Sequence, residues 1–234
     1  MTAPAPSLDL VAIVLAGGAS SRFGSDKLGV AVGGRPLLHH ALAAVGSIAD
    51  HIVVVIAPEA PLPSFPVDLA GRVVFARDAA AHGGPLAGLA AGLAALDGLT
   101  AEDTPVRDEA PRITGAPGGR AANRVAIVVG GDMPTLVPDV LQLLGESLAG
   151  EPSIAAMTLA ASRPAPLPMA LRPEVAQTAI DAILASGGRR SLMVLLDAVP
   201  SATLPAATWR ALDPAGATLR DVDTPADLGT TDTG

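Results

Sequence analysis

The sequence predicts an α/β fold with a mainly parallel sheet, and three observations predict it. The run Leu-Val-Ala-Ile-Val-Leu-Ala over residues 10–16 is continuously apolar and partly β-branched, as in a strand buried on both faces. Similar short runs recur at 51–56, 72–76 and 125–129. Between them lie longer segments whose apolar residues repeat at helical spacing, and strands alternating with amphipathic helices imply βαβ units with right-handed crossovers.

Each element follows from its residues. The first strand ends in Gly17-Gly18, and Pro36, favoured at a first helical position, opens a segment with Leu37, Leu38, Ala41, Leu42 and Val45 on one face. Strands follow at 51–56 and 72–76. The segment 85–96 is helical, with Leu86, Leu89, Ala90, Leu93 and Leu96 in phase. Residues 99–124 mix Pro, Gly, Asp, Glu and Arg almost without apolar periodicity, which predicts a flexible, solvated insertion. A strand at 125–129, a helix at 139–148, a strand at 157–159, a Pro-rich stretch and a helix over 174–185 complete the pattern, and the tail from Gly229 is expected to fray. No internal repeat divides the chain, so residues 1–234 are expected to form one domain.

Composition narrows the function. With 234 residues, half of them hydrophobic, the chain can bury one sizeable core. A net charge of -8, three Phe, one Trp and no Tyr disfavour nucleic acid, which needs a basic footprint and stacking surfaces. The chain has no Cys, so thiolate metal sites and cysteine nucleophiles are excluded and any metal must sit on oxygen or imidazole. The apolar run at 10–16 is too short for a signal or membrane segment, which leads to a cytoplasmic expectation with no membrane partner.

In open α/β sheets ligands bind beyond the carboxyl ends of the strands, so residues that follow strands carry the information. Residues 15–27 read Leu-Ala-Gly-Gly-Ala-Ser-Ser-Arg-Phe-Gly-Ser-Asp-Lys: the glycines permit close approach to an anion, and Arg22 and Lys27 add charge for phosphate oxygens. A simple turn is the bland alternative. The dinucleotide pattern fails because Ala19 and Arg22 stand where glycines are needed, which disfavours an NAD-linked dehydrogenase, and the Walker pattern fails because Lys27 lies between Asp26 and Leu28. Asp132, in Gly130-Gly-Asp-Met-Pro134, is a hard oxygen donor directly after a strand, suited to magnesium beside phosphates, or else a turn or capping residue. Alternation points Asp221 and Asp223 to one face of an extended segment, where both could approach a metal; Thr224 with Pro225 reads equally as a helix start.

Together, in this order, these segments resemble the nucleotidyltransferases of the molybdenum cofactor guanylyltransferase type. Residues 15–27 match the family's first motif, Asp78 with Gly84-Pro-Leu-Ala-Gly88 its second, Asp132-Met-Pro134 its third, and Asp221-Val-Asp-Thr-Pro225 its closing element. The resemblance implies a Rossmann-like three-layer nucleotidyltransferase fold and magnesium-dependent transfer of GMP from GTP onto molybdopterin or its molybdenum form, with loss of pyrophosphate. It implies that Leu15, Ala16, Gly17 and Gly18 border base and phosphates, that Lys27 and Arg22 meet the triphosphate, and that Asp78 lies near base or ribose. Asp132 would hold magnesium, with Asp221 and Asp223 as further candidates, and Arg189 and Arg190, in the helix-start segment Gly187-Gly-Arg-Arg-Ser-Leu192, would meet the pterin phosphate or else stand as solvated surface arginines. His39 and His40 read as ordinary helix residues and His82 as a loop residue. The second-strand exit, Ile56-Ala57-Pro58, lacks the Asn that some guanylyltransferases place there, so a cytidylyl- or sugar-phosphate nucleotidyltransferase remains the rival within the fold. A non-catalytic nucleotide-sensing module is the rival from another class.

Overall fold

The computed structural model describes residues 8–17, 27–78, 83–98, 123–224 and 226–227. Its elements are β1 (Asp9–Leu15), β2 (Ala31–Val32), β3 (Arg35–Pro36), α1 (Leu37–Gly46), β4 (His51–Ile56), β5 (Val73–Arg77), α2 (Gly84–Asp97), β6 (Arg124–Gly130), α3 (Pro138–Ala149), β7 (Ala156–Leu159), β8 (Met169–Leu171), α4 (Pro173–Ala185), α5 (Leu192–Ala198), β9 (Ser201–Leu204) and α6 (Ala206–Trp209). Seven strands form one sheet in the order β5-β4-β1-β6-β8-β7-β9, while β2 and β3 make a small hairpin. Neighbours from β5 to β6 are parallel; β8 runs antiparallel to both β6 and β7; β9 pairs parallel with β7. The sheet is therefore mainly parallel, and helices cover both faces in three layers.

Alternation along the strands builds the two outer interfaces. Ala12, Val14, Ile52, Val54, Ile127 and Val129 face α1 and α3, meeting Leu38, Leu42, Leu141 and Leu144. Their neighbours Val11, Ile13, Val53, Val55, Ala126 and Val128 face the other way, onto Leu86, Leu89 and Leu93 of α2 and Ile180 of α4. Both sets are buried, which is why β1, β4 and β6 read as unbroken apolar runs. Each large side chain so buried contributes about 1.5–3 kcal/mol.

Several local expectations change. Pro36 closes the hairpin strand β3 and caps the helix, so α1 begins at Leu37, whose N–H donates to the Val30 carbonyl at 2.9 Å. The hairpin β2–β3 went unforeseen, as did β8 inside the Pro-rich stretch and β9 and α6 near the C-terminus. The flexible insertion expected at 99–124 lies outside the described residues over 99–122. Its last residue, Arg124, belongs to β6, where its Nε donates to Asp9 Oδ2 at 2.9 Å. The tail from Gly229 lies outside the described residues too. Among the described residues no helix is long and apolar enough to cross a membrane.

Candidate active site

The registers of β1, β4 and β6 place three strand ends side by side: Leu15 pairs with Val55 and with Gly130. The ladder continues one step further, since Ala16 N–H donates to Val55 O at 2.7 Å and Gly131 N–H to Leu15 O at 2.9 Å. Ala16 and Gly17 thus leave the sheet between the exits of β4 and β6. Strand order reverses between β1 and β6, so a crevice opens here without any special side chain. Gly18 and Arg22 lie outside the described residues.

Description resumes at Lys27, which starts a short 3-10 turn. Lys27 is 9% exposed. Its Nζ lies 2.8 Å from Asp132 Oδ2 and 3.4 Å from Asp223 Oδ1. Desolvation alone would lower its proton affinity, but the hydrogen bonds and charges of Asp132 and then Asp223 outweigh it and raise the pKa above the ordinary lysine range. The ammonium therefore stays charged inside the fold. The residue assigned from sequence to the triphosphate and the one assigned to the metal form an ion pair.

Asp223 arrives from the far end of the chain. Val222 N–H donates to the Asp132 carbonyl at 3.0 Å, and the Val222 side chain is buried on Val32 and Leu37. Alternation then leaves Asp221 and Asp223 exposed on the opposite face. Partial desolvation, then the negative charges of Asp223 and Asp132, raise the Asp221 pKa above the usual carboxylate value. Asp227 closes the segment, its Oδ2 accepting from Asp223 N–H (3.0 Å), Thr224 N–H (2.7 Å) and the Thr224 hydroxyl (2.9 Å). The Thr224 bonds lower the Asp227 pKa, and the arrangement is the reach-back half of a capping box, in keeping with a turn start at Thr224. Pro225 lies outside the described residues.

Sequence reasoning missed the brace behind this segment. Asp213, 4% exposed, accepts from Thr218 N–H (2.7 Å) and Ala217 N–H (2.9 Å), and these bonds lower its pKa although desolvation acts to raise it. Thr135 Oγ1 donates to Ala217 O at 2.7 Å, and Val137 N–H donates to Thr218 Oγ1 at 3.2 Å. The loop after Asp132 is thereby stitched to the turn that leads into Asp221. The signal in the sequence was Asp213-Pro-Ala-Gly216, a turn pattern with an acceptor at its head.

A second group lies at the start of α2. Asp78 follows β5, donates its N–H to Ile56 O at 2.9 Å, and sets its carboxylate beside Gly88. Gly84 opens α2 at φ +79°, and a Cβ there would stand 2.9 Å from the Arg190 carbonyl. The backbone at Arg190 thus packs on the helix start, with the side chains of Arg189 and Arg190 exposed and Ser191 capping α5 through a 3.4 Å bond from Val194 N–H. His39 pairs with Ser64 and His40 with the Val32 carbonyl, both at α1, while His82 lies outside the described residues. Chemically, the first group sets two carboxylates on one ammonium with Asp221 nearby, and carboxylates are hard oxygen donors. Among the described residues no three His, Cys, Asp or Glu are placed to hold a metal by themselves.

Several known proteins resemble this chain. The family described as MobA-like NTP transferase domain matches residues 12–200. A "Probable molybdenum cofactor guanylyltransferase" from Mycobacterium avium is 32% identical over 196 residues, 83% of this chain and 84% of that protein; a protein of the same name from Mycolicibacterium paratuberculosis matches to the same extent. Among solved structures, molybdopterin-guanine dinucleotide biosynthesis protein A from Archaeoglobus fulgidus superposes with a TM-score of 0.67 at 21% identity, covering 95% of this chain and 96% of that one. The 2-C-methyl-D-erythritol 4-phosphate cytidylyltransferase of Thermus thermophilus gives 0.61 at 17% identity, over 94% and 96%. The two structures share the fold, and the family match and the mycobacterial relatives carry the assignment: this chain belongs to the MobA-like NTP transferase family.

Proposed function

We propose that this protein is a molybdenum cofactor guanylyltransferase, moving GMP from GTP onto molybdopterin or its molybdenum form and releasing pyrophosphate, with residues 1–234 acting as one domain. The observation that carries the reading is the ammonium of Lys27 held on Asp132 and Asp223 where the strand order reverses. The names of the mycobacterial relatives support the choice of acceptor. The cytoplasmic setting rests on the sequence expectation alone.

In this reading the triphosphate lies over Leu15, Ala16, Gly17 and Gly18, with Arg22 and Lys27 toward its phosphates. Three carboxylates would repel it unless a cation stands between, and magnesium commonly takes one or two carboxylates together with phosphates and water rather than a full protein cage. In this reading Asp132 would hold the ion, with Asp223 or Asp221 as a further oxygen and phosphates and water completing its sphere. When bound, magnesium supplies charge neutralisation at the phosphate oxygens. An oxygen of the acceptor phosphate attacks the α-phosphorus; the new P–O bond forms as the α–β bridge breaks, and its electron pair leaves with pyrophosphate. The acceptor is already ionised, so no side chain must take a proton. Lys27 and Arg22 stabilise the charge spread over the transferring group. Asp78 serves the base or ribose, and Arg189 and Arg190 the pterin phosphate.

A second reading, cytidylyl transfer, is favoured by one feature: Ala57 and Pro58 present no polar side chain to guanine at the β4 exit. Pyrophosphate release from purified protein with magnesium, each triphosphate in turn and molybdopterin separates the readings. GTP alone should support release. CTP alone doing so installs the cytidylyltransferase, and triphosphate binding with no release for any acceptor installs the non-catalytic module.

A further inference from the structure

Three arginines in this fold gather backbone carbonyls. Arg72 binds those of Gly46, Ala49 and Asp50 at the end of α1, and Arg172 those of Leu148, Glu151 and Ile154 after α3. Both stand at the amino edge of the sheet, where helix ends leave carbonyls to satisfy. Arg77 does the same at the opposite edge. From the end of β5 its Nη1 reaches across the exit of β4 and donates to the carbonyls of Ala57 (3.2 Å), Pro58 (2.6 Å) and Ala60 (2.9 Å).

Residues 57–60 are neither helix nor strand, and three of their four carbonyls converge on one nitrogen. They also flank the ligand loop: a Cβ on Gly17 would lie 3.3 Å from Ala57 N, so the two backbones are in close approach. The residue after Arg77, Asp78, is tied to Ile56 O just before this wall. Ala57 and Pro58 have no polar side chain for a base and Glu59 is exposed, so Arg77 acts on the wall through its backbone, whose carbonyls it holds in place. We propose that Arg77 is a positioning residue for the nucleotide: by holding residues 57–60 against Gly17 it sets triphosphate affinity and the choice of base. This rests on the nucleotide-transfer reading above.

The test compares Arg77→Met, which keeps the aliphatic stem, with Arg77→Lys and with Arg72→Met, the matched clamp at the far edge. Arg77→Met should raise KM and calorimetric Kd for GTP about tenfold, leave kcat within about twofold, and narrow the preference between GTP and CTP. Arg77→Lys should restore most of the affinity, because an ammonium carries three N–H donors for three carbonyls. Arg72→Met should lower the melting temperature and leave KM unchanged. Normal KM, Kd and base preference in a folded Arg77→Met, beside a parent that binds GTP, overturn the inference alone. An equal rise in KM in Arg72→Met also overturns it, by assigning the effect to general loosening. A parent that binds no triphosphate overturns the nucleotide reading and this inference with it.

Discussion

The two edges of the sheet handle charge differently. At the amino edge Arg124 meets Asp9, and Arg72 and Arg172 donate to carbonyls at and just after helix ends. At the carboxyl edge, among the described residues, Asp132 and Asp223 share the ammonium of Lys27, and Asp221 lies close enough that partial desolvation and then the charges of Asp223 and Asp132 raise its proton affinity. On the proposed reading, the carboxylates of the carboxyl edge are where a cation and a phosphate ligand would be held, whereas the pairs of the amino edge serve the fold. The difference separates residues whose loss harms the fold from residues whose loss harms the reaction.

The largest effect that would sharpen this contrast is in Asp132→Asn. The amide oxygen still accepts from Lys27, and Asp223 still supplies the opposing charge, so stability without nucleotide should stay within about 1 kcal/mol of the parent. Turnover should fall by about two orders of magnitude or more, measured as pyrophosphate release in saturating magnesium. Near-normal turnover would make Asp132 a structural residue like those of the opposite edge. Next comes Lys27→Met, which leaves three carboxylates without their ammonium. Its melting temperature should fall, and millimolar magnesium without nucleotide should raise it more than it raises the parent's; equal shifts in thermal scans would remove the cation deficit from the account.

At the amino edge the signs reverse. Arg172→Met leaves the carbonyls of Leu148, Glu151 and Ile154 without their donor and should cost about 2 kcal/mol in urea unfolding, with kcat at 25 °C little changed. A matching loss of kcat would break the contrast. The smallest effect belongs to Asp213→Asn, about 1 kcal/mol at neutral pH, since Asn keeps an acceptor and loses the charge. The folded pKa of Asp213 lies below its unfolded value of 3.8, so its stabilisation is full above 3.8 and is lost as pH falls through the lower folded value. Unfolding curves of parent and variant should therefore converge in acid; a gap that widens there would contradict the assigned direction.

What could be read from the sequence follows the same geography. The parallel half of the sheet is buried on both faces, so β1, β4 and β6 announce themselves as apolar runs, and β4 matches its expected bounds of His51 and Ile56. The other half does not. β7 is expected, but β8 is only Met169-Ala-Leu171 beside prolines and β9 reads Ser-Ala-Thr-Leu, one run too short and one too polar to stand out, so their partner strands decide the structure. Lys27, Asp132, Asp221 and Asp223 could be singled out because they stand in recognisable motifs. Their mutual contact could not, because 105 and 196 positions separate Lys27 from its two partners. Arg77 escaped notice because its partners are backbone carbonyls, which leave no pattern of residue types, whereas Asp213 stands in a turn pattern that marks the turn without marking what it braces.

The hydrogen bond from Val222 to Asp132, with Val222 seated on Val32 and Leu37, also fixes an order of events during synthesis. A chain emerging from the ribosome can pair β1, β4 and β6 once residue 130 is out, and so assemble the central sheet early. Its site lacks Asp221 and Asp223 until the segment through residue 223 has been added. A polypeptide halted before Asp221 would carry the Lys27–Asp132 pair but neither of the late carboxylates. On the proposed reading, competence waits on synthesis of this segment, and a product halted before it that still folds is expected to be inactive rather than half-active.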